Sequence, residues 1–217
     1  GHVVLLDFWT YCCINCMHVL PDLAFLEEKY AGQPFVVIGV HSAKFENEGH
    51  RQTVRAAISR YEIRHPVIVD EEMALWSEYT VKSWPTMVLI GADGRVLGGM
   101  AGEGNRETLD RAIEQALAEA RAAGILAAEP VRFEHEQSVR AATGLAFPGK
   151  VLADLAGGRL FIADSNHNRI VVATLPDAEG RSRLIRAVGS GRVGREDGAA
   201  ERATFHHPQG LALMGET

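Results

Sequence analysis

The chemistry of this chain is concentrated in Asp7-Phe8-Trp9-Thr10-Tyr11-Cys12-Cys13-Ile14-Asn15-Cys16. All three cysteines of the 217-residue sequence fall inside that stretch. Cys13 and Cys16 have C-x-x-C spacing at a point where an apolar strand gives way to a helical pattern. Three residues of helical separation let two side chains meet without moving the backbone. A thiol at a helix N-terminus faces the positive end of the macrodipole and unpaired N–H groups. Both favour thiolate, the form that attacks a disulfide. A second thiol then resolves the mixed disulfide. Asp7 closes an apolar run, so burial is expected for it. Burial raises a carboxyl pKa and makes it a proton acceptor near neutrality. Cys12 is a third thiol of open role, since a disulfide to its neighbour Cys13 would be strained.

The same residues leave other chemistries open. Buried structural cysteines are the plainest alternative. Cys12, Cys13, Cys16 and His18 are all zinc-ligand types, although adjacent ligands are awkward and no second pair stands elsewhere. Thr10-x-x-Cys13 has the spacing of a peroxidatic pair but lacks a preceding proline. His18 reads as a helix-surface residue and Tyr11 as a rim residue. Trp9 and Trp84 read as core, with Trp84 expected beside the cysteines.

These residues need a scaffold. Val3 to Trp9 reads as a buried strand. Met17, Leu20, Leu23, Ala24 and Leu26 give a helix from Ile14 to about Tyr30. Phe35 to Val40 is a second strand, 50–61 a helix, Pro66 to Val69 a short strand and Met73 to Tyr79 a short helix. Thr86 to Ile90 and Arg95 to Leu97 flank Asp93-Gly94, a hairpin signal. Asn105 is the expected N-cap of a helix running to Ala123, with Gly124 as its C-terminal glycine. Leu109, Ile113 and Leu117 lie on one face of that helix, which suits packing against a sheet. Residues 1–125 therefore predict an α/β domain with a mixed sheet.

The pattern then changes. Residues 126–143, with Ala127-Ala128-Glu129-Pro130, read as a linker. Residues 144–217 show short β-runs, Arg159 to Ala163 and Ile170 to Thr174, around the turn-forming Asp164-Ser165-Asn166-His167-Asn168. Asp164 and Arg169 are expected to brace that turn. Phe147-Pro148-Gly149 is echoed by Phe205-His206-His207-Pro208-Gln209-Gly210, the prolines 60 residues apart, a spacing that suits a propeller blade. His206-His207 reads as a blade-start loop. Gly189-Ser190-Gly191-Arg192-Val193-Gly194 lacks the strand-before, helix-after context of a phosphate loop. One blade buries neither face alone, so this region is expected to be loosely ordered or paired with another chain.

Composition limits the function classes. Twenty-two Lys+Arg against 28 Asp+Glu give a net charge of −6, which argues against a general nucleic-acid binder. The excess acid lies in residues 1–125, with 17 acids and 11 bases, while 126–217 carry 11 of each. No run of 18 apolar residues occurs, so no segment reads as a membrane span. Three clustered cysteines do not make a disulfide framework. Gly1 at the start and an apolar stretch at the end read as the two cut edges of a fragment.

Asp7-Phe8-Trp9, Cys13-x-x-Cys16, Pro21 five residues later and Trp84-Pro85-Thr86 together resemble the thioredoxin superfamily. The segment 41–70 looks like the insertion of its TlpA-like branch. The resemblance covers about 1–125. It implies Cys13 as nucleophile, Cys16 as resolving thiol and Asp7 as the acid–base partner of Cys16. It implies a cis Pro85 that, with Trp84 and Thr86, docks substrate backbone. Cys12 stands where the family has Trp, and Ile14-Asn15 replaces its Gly-Pro, so the direction of electron flow is left open. Cys-Cys-Ile-Asn-Cys followed by β-repeats resembles proteins that join a thioredoxin-like domain to a six-bladed NHL propeller. Gly158 to Ile170 is similar to one NHL repeat.

The expected fold is thus an α/β thioredoxin-like fold followed by an incomplete all-β NHL propeller segment. The implied activity is thiol–disulfide oxidoreduction on a protein or small-molecule thiol or disulfide substrate, with an external redox partner and no cofactor. Neither membrane nor nucleic acid is an expected partner, and the cytoplasm is the expected compartment. The alternative is a non-catalytic interaction scaffold, with a propeller binding protein or RNA and the thioredoxin fold as a docking module.

Overall fold

The computed structural model describes residues 1–133 and 144–214, which form two compact units. Of the expected linker 126–143, residues 134–143 lie outside the described residues.

In the first unit, β1 (Val3–Trp9) leads into α1 (Ile14–Lys29) and β2 (Phe35–His41). Then come α2 (Arg51–Arg60), β3 (Val67–Val69), α3 (Ala74–Glu78), β4 (Thr86–Ile90), β5 (Val96–Ala101) and α4 (Arg106–Ala122). The five strands make one mixed sheet in the order β3-β2-β1-β4-β5. β1 runs parallel to β2, and β2 to β3, while β4 is antiparallel to both β1 and β5. The apolar run that begins β1 is therefore central and covered on both faces.

Alternation sorts β1 into two cores. Val3 and Leu5 pack with Val19, Leu23 and Leu26 of α1 and with Leu109, Ile113 and Leu117 of α4. Leu6 and Phe8 face the other way, onto Val40, Val88 and the Leu75, Trp76 and Tyr79 side of α3. Asp7 and Trp9 continue the α1 face, where Trp9 packs with Cys16. Pro21 lies inside α1, where it removes one backbone hydrogen bond.

Asn105 occupies the position before α4, but its side chain does not cap the helix. Its amide instead donates back to the carbonyls of Ala101 and Gly102, tying the helix to the end of β5. Gly124 follows α4 with φ +69, the left-handed conformation expected of a terminal glycine.

The second unit is one antiparallel meander: β6 (Lys150–Asp154), β7 (Arg159–Asp164), β8 (Arg169–Thr174) and β9 (Leu184–Val188). Such a four-stranded sheet matches an incomplete propeller segment. Asp164, fully buried, braces its β7–β8 turn. It accepts from the Ala146 N–H at 2.6 Å, Arg169 Nε at 2.8 Å and His167 Nδ1 at 2.9 Å. Val151, Leu184 and Ile185 remain exposed, as expected of a blade without neighbours. All four strands pair in continuous ladders apart from one irregularity at Val172/Ala173. The ladder pairs the inner edges of the sheet and the Asp164 brace holds the β7–β8 turn, while the faces stay open.

Candidate active site

The cysteines sit at the junction of β1 and α1. Cys13 is the N-cap of α1, in extended conformation, and its sulfur accepts from the Cys16 N–H at 3.3 Å. Cys12 is exposed, Cys13 half-buried and Cys16 buried, all three as free thiols. The helix start thus turns the first sulfur of the pair outward and the second into the core, beside Trp9. Burial first, then the hydrogen bond with the Cys13 thiol, hold the Cys16 thiol well above its ordinary pKa, against a lowering contribution from the Thr10 backbone.

Asp7 lies behind Cys16, 1% exposed, with Oδ1 lacking a hydrogen-bond partner. Desolvation pushes its carboxyl up to about 7, against a lowering pull from His65. Asp7 and Cys16 are close enough for their charges to couple. The peptide between Trp84 and Pro85 is cis. Trp84 packs in the cluster that holds Trp9, Cys13 and Cys16. Its indole N–H donates to the Ser42 carbonyl at 3.0 Å, and its ring lies against Trp76 at 4.2 Å. Thr86 begins β4 opposite Phe8, and its hydroxyl donates to the Ser83 carbonyl at 2.8 Å. The residues expected from 1–90 therefore meet at one end of the sheet.

Three residues escaped the sequence reading. Glu48, fully buried, accepts from Thr10 Oγ1 at 2.5 Å and from the Lys44 N–H at 2.8 Å. Burial works to raise its pKa. Hydrogen bonds from Cys12, Thr10 and the Lys44 and Phe45 amides outweigh it, so the carboxylate is held below its usual value. The Glu48 hydrogen bond, then desolvation, push the Cys12 thiol up to about 11. His41, 1% exposed, ends β2 edge-on to Trp9 and stacked on Tyr11. Burial lowers its pKa below the ordinary 6.5. His65 is the third, buried beside Trp9 and the backbone of Gly39.

The alternative chemistries fit this geometry poorly. His18 faces out of α1 and pairs with Glu103 at 2.7 Å, while Cys16 points inward, so the zinc set is not assembled. Among the described residues, no group of three His, Cys, Asp or Glu is gathered to hold a metal ion. The Thr10 hydroxyl is engaged by Glu48. No helix among the described residues is long and apolar enough to cross a membrane.

Comparison with known proteins places these observations. Residues 1–96 match the family model described as thioredoxin-like, and the first unit has a thioredoxin-like fold. The chain is 49% identical to Protein SUPPRESSOR OF QUENCHING 1, chloroplastic, of Arabidopsis thaliana, over 98% of its own length and 20% of that protein's. It is 39% identical to NHL repeat-containing protein 2 of Homo sapiens, over 99% of its length and 29% of that protein's. The chain thus spans less than a third of either relative. A crystal structure provisionally described as thiol:disulfide interchange protein DsbE, from Chlorobium tepidum, superposes with a TM-score of 0.50 at 28% identity. That match covers 54% of this chain and 81% of the other.

Proposed function

We propose that this thioredoxin-like domain is a dithiol–disulfide oxidoreductase working through Cys13 and Cys16. The Cys13 thiolate attacks a disulfide of a protein or small-molecule substrate, and one substrate sulfur leaves as thiolate and takes up a proton. Asp7 accepts the proton of Cys16, which attacks the Cys13 sulfur and expels the second substrate thiolate. Two electrons have then passed to the substrate, and the domain holds a Cys13–Cys16 disulfide. An external dithiol returns it to the reduced state; run backwards, the same steps oxidise a substrate dithiol.

One observation carries the reading: Cys13 is accessible at a helix N-terminus while Cys16 is buried against a carboxyl that titrates near neutrality. A structural cysteine pair has no use for that asymmetry. The match to an interchange protein of known fold supports it. Trp84, Pro85 and Thr86 form the wall that receives substrate backbone, and Cys12 remains an accessory thiol outside the electron path. The four-stranded sheet β6–β9 supplies about one NHL blade, with the start of the next after it, and a protein partner would bind the full propeller. The cytoplasm, a reducing compartment, would hold such a dithiol in its reduced state.

The Cys13→Ser variant tests this reading. Dithiol-dependent reduction of a protein disulfide should fall to background, with the fold intact by circular dichroism. Full activity in that variant would exclude the dithiol mechanism and favour the docking module.

A further inference from the structure

We propose that His65 is a positioning residue for this reaction, carrying protons between buried Asp7 and Glu27 at the solvent edge. The proposal rests on the reading of Asp7 as proton acceptor for Cys16.

The observation behind it is a knot of buried polar atoms that nothing satisfies. Asp7 Oδ1, Trp9 Nε1 and both ring nitrogens of His65 lack hydrogen-bond partners. Buried unsatisfied groups are costly, so several together call for a reason. They gather on one face of the sheet. Asp7 and Trp9 alternate along β1, and Asp7 pairs with Gly39 across the parallel β1–β2 ladder. A Cβ at Gly39 would lie 3.0 Å from Trp9 Nε1, 3.1 Å from Val67 Cγ2 and 3.3 Å from His65 Nε2. The absent side chain is thus the opening through which the His65 ring approaches the Asp7 position. On its other side, His65 Nδ1 lies 3.4 Å from Glu27 Oε2. Glu27 is on α1, with a side chain one-quarter exposed.

The imidazole therefore has one nitrogen on the Asp7 side and the other toward a carboxylate that water reaches. The charged groups facing it are Asp7 from β1 and Glu27 from α1, with Cys16 beyond Asp7. The lowering pull of His65 on the Asp7 carboxyl agrees with this arrangement. The bookkeeping closes. Asp7 takes the Cys16 proton during resolution. It passes a proton by way of one bridging water to His65 Nε2 as Nδ1 releases one to Glu27 and water, and the ring then turns to restore its starting tautomer. His65 ends with the number of protons it began with, and Asp7 is again a carboxylate.

The test uses the full 217-residue chain with Cys12→Ser as background and dithiobis-nitrobenzoate as the disulfide. Its second chromophore release reports attack by Cys16, followed by stopped flow across pH. The parent should accelerate through a midpoint near the Asp7 value of about 7. His65→Gln should move that midpoint up by about one pH unit and slow the release about five-fold at pH 7, with the profiles converging at alkaline pH. Glu27→Gln, at a half-buried helix position, should move it the same way. A merely structural role would slow release equally at every pH. Unmoved midpoints in both variants overturn the proposal; if His65→Gln fails to fold, Glu27→Gln alone decides. Asp7→Asn separates the premises. A flattened profile in Asp7→Asn beside unmoved midpoints in the others defeats the relay and keeps the base. An unaltered Asp7→Asn profile defeats both.

Discussion

The backbone N–H of Cys16 donates to the sulfur of Cys13 at 3.3 Å. In the proposed mechanism the resolving residue thereby also holds the nucleophile, through its main chain rather than its thiol. Cys16→Ser keeps this N–H while removing the resolving thiol. It should retain attack by Cys13 and accumulate a Cys13–substrate mixed disulfide, visible as a mass adduct on the intact protein. Cys13→Ser should form no adduct at Cys16, because Cys16 is buried.

Buried Asp7 weakens the fold at alkaline pH. Its carboxyl rises from the ordinary 3.8 to about 7 in the folded state. The folded state binds this proton more tightly, so the stabilisation is complete below about pH 4 and lost as pH rises through about 7. The difference amounts to about 4 kcal/mol at alkaline pH. Asp7→Asn should therefore unfold at higher urea than the parent at pH 8 and at similar urea at pH 4. The variant should also resolve substrate more slowly. Equal stability gains at both pH values would mean the carboxyl is not desolvated.

Much of this was legible in the sequence, for local reasons. The apolar run Val3 to Trp9, the helical spacing after Cys13 and the Asp93-Gly94 turn act over a few residues, and the structure reproduces them. Glu48 was not legible, because it reaches Thr10 from 38 positions away across the 41–70 segment. Nothing near Glu48 marks it as buried. His41 carried a signal that went unused: it closes the apolar run Phe35 to Val40 just as Asp7 closes its own, and it is buried for the same reason. His65 depends on the missing side chain at Gly39, a fact of the folded sheet alone. Asn105 satisfied the cap pattern but found carbonyls of the preceding turn instead.

Glu48 makes the Cys12 thiol a weaker acid. Its hydrogen bond is the largest cause of the rise to about 11. Glu48→Gln removes the negative charge, so Cys12 should be alkylated about ten-fold faster or more at pH 8. The cost to stability should be about 1–2 kcal/mol, since weaker bonds to Thr10 Oγ1 and the Lys44 amide remain. Iodoacetamide labelling with peptide mass mapping reads the first effect and urea melts the second. An unchanged Cys12 rate would show that Glu48 serves the 41–48 turn alone.

In the second unit the Asp164–Arg169 pair braces the β7–β8 turn. Arg169 Nε meets Asp164 Oδ2 at 2.8 Å, and Arg169 also donates to the Gly144 carbonyl at 2.9 Å. Arg169→Ala leaves a buried carboxylate short of its main cation, a loss of ~2–3 kcal/mol. Faster amide exchange at Ala146, whose N–H the same carboxylate holds, should accompany it. Exchange in the first unit should not change.

The central claim is the dithiol, and a redox titration against glutathione tests it most directly, with free thiols trapped and mapped by mass spectrometry. The account predicts one reversible two-electron transition, with Cys13 and Cys16 lost together to a disulfide while Cys12 stays alkylatable. A midpoint near roughly −270 mV would assign a reductase and one near roughly −120 mV an oxidase. All three thiols remaining free across the titration, or a disulfide that includes Cys12 in place of Cys16, would contradict it.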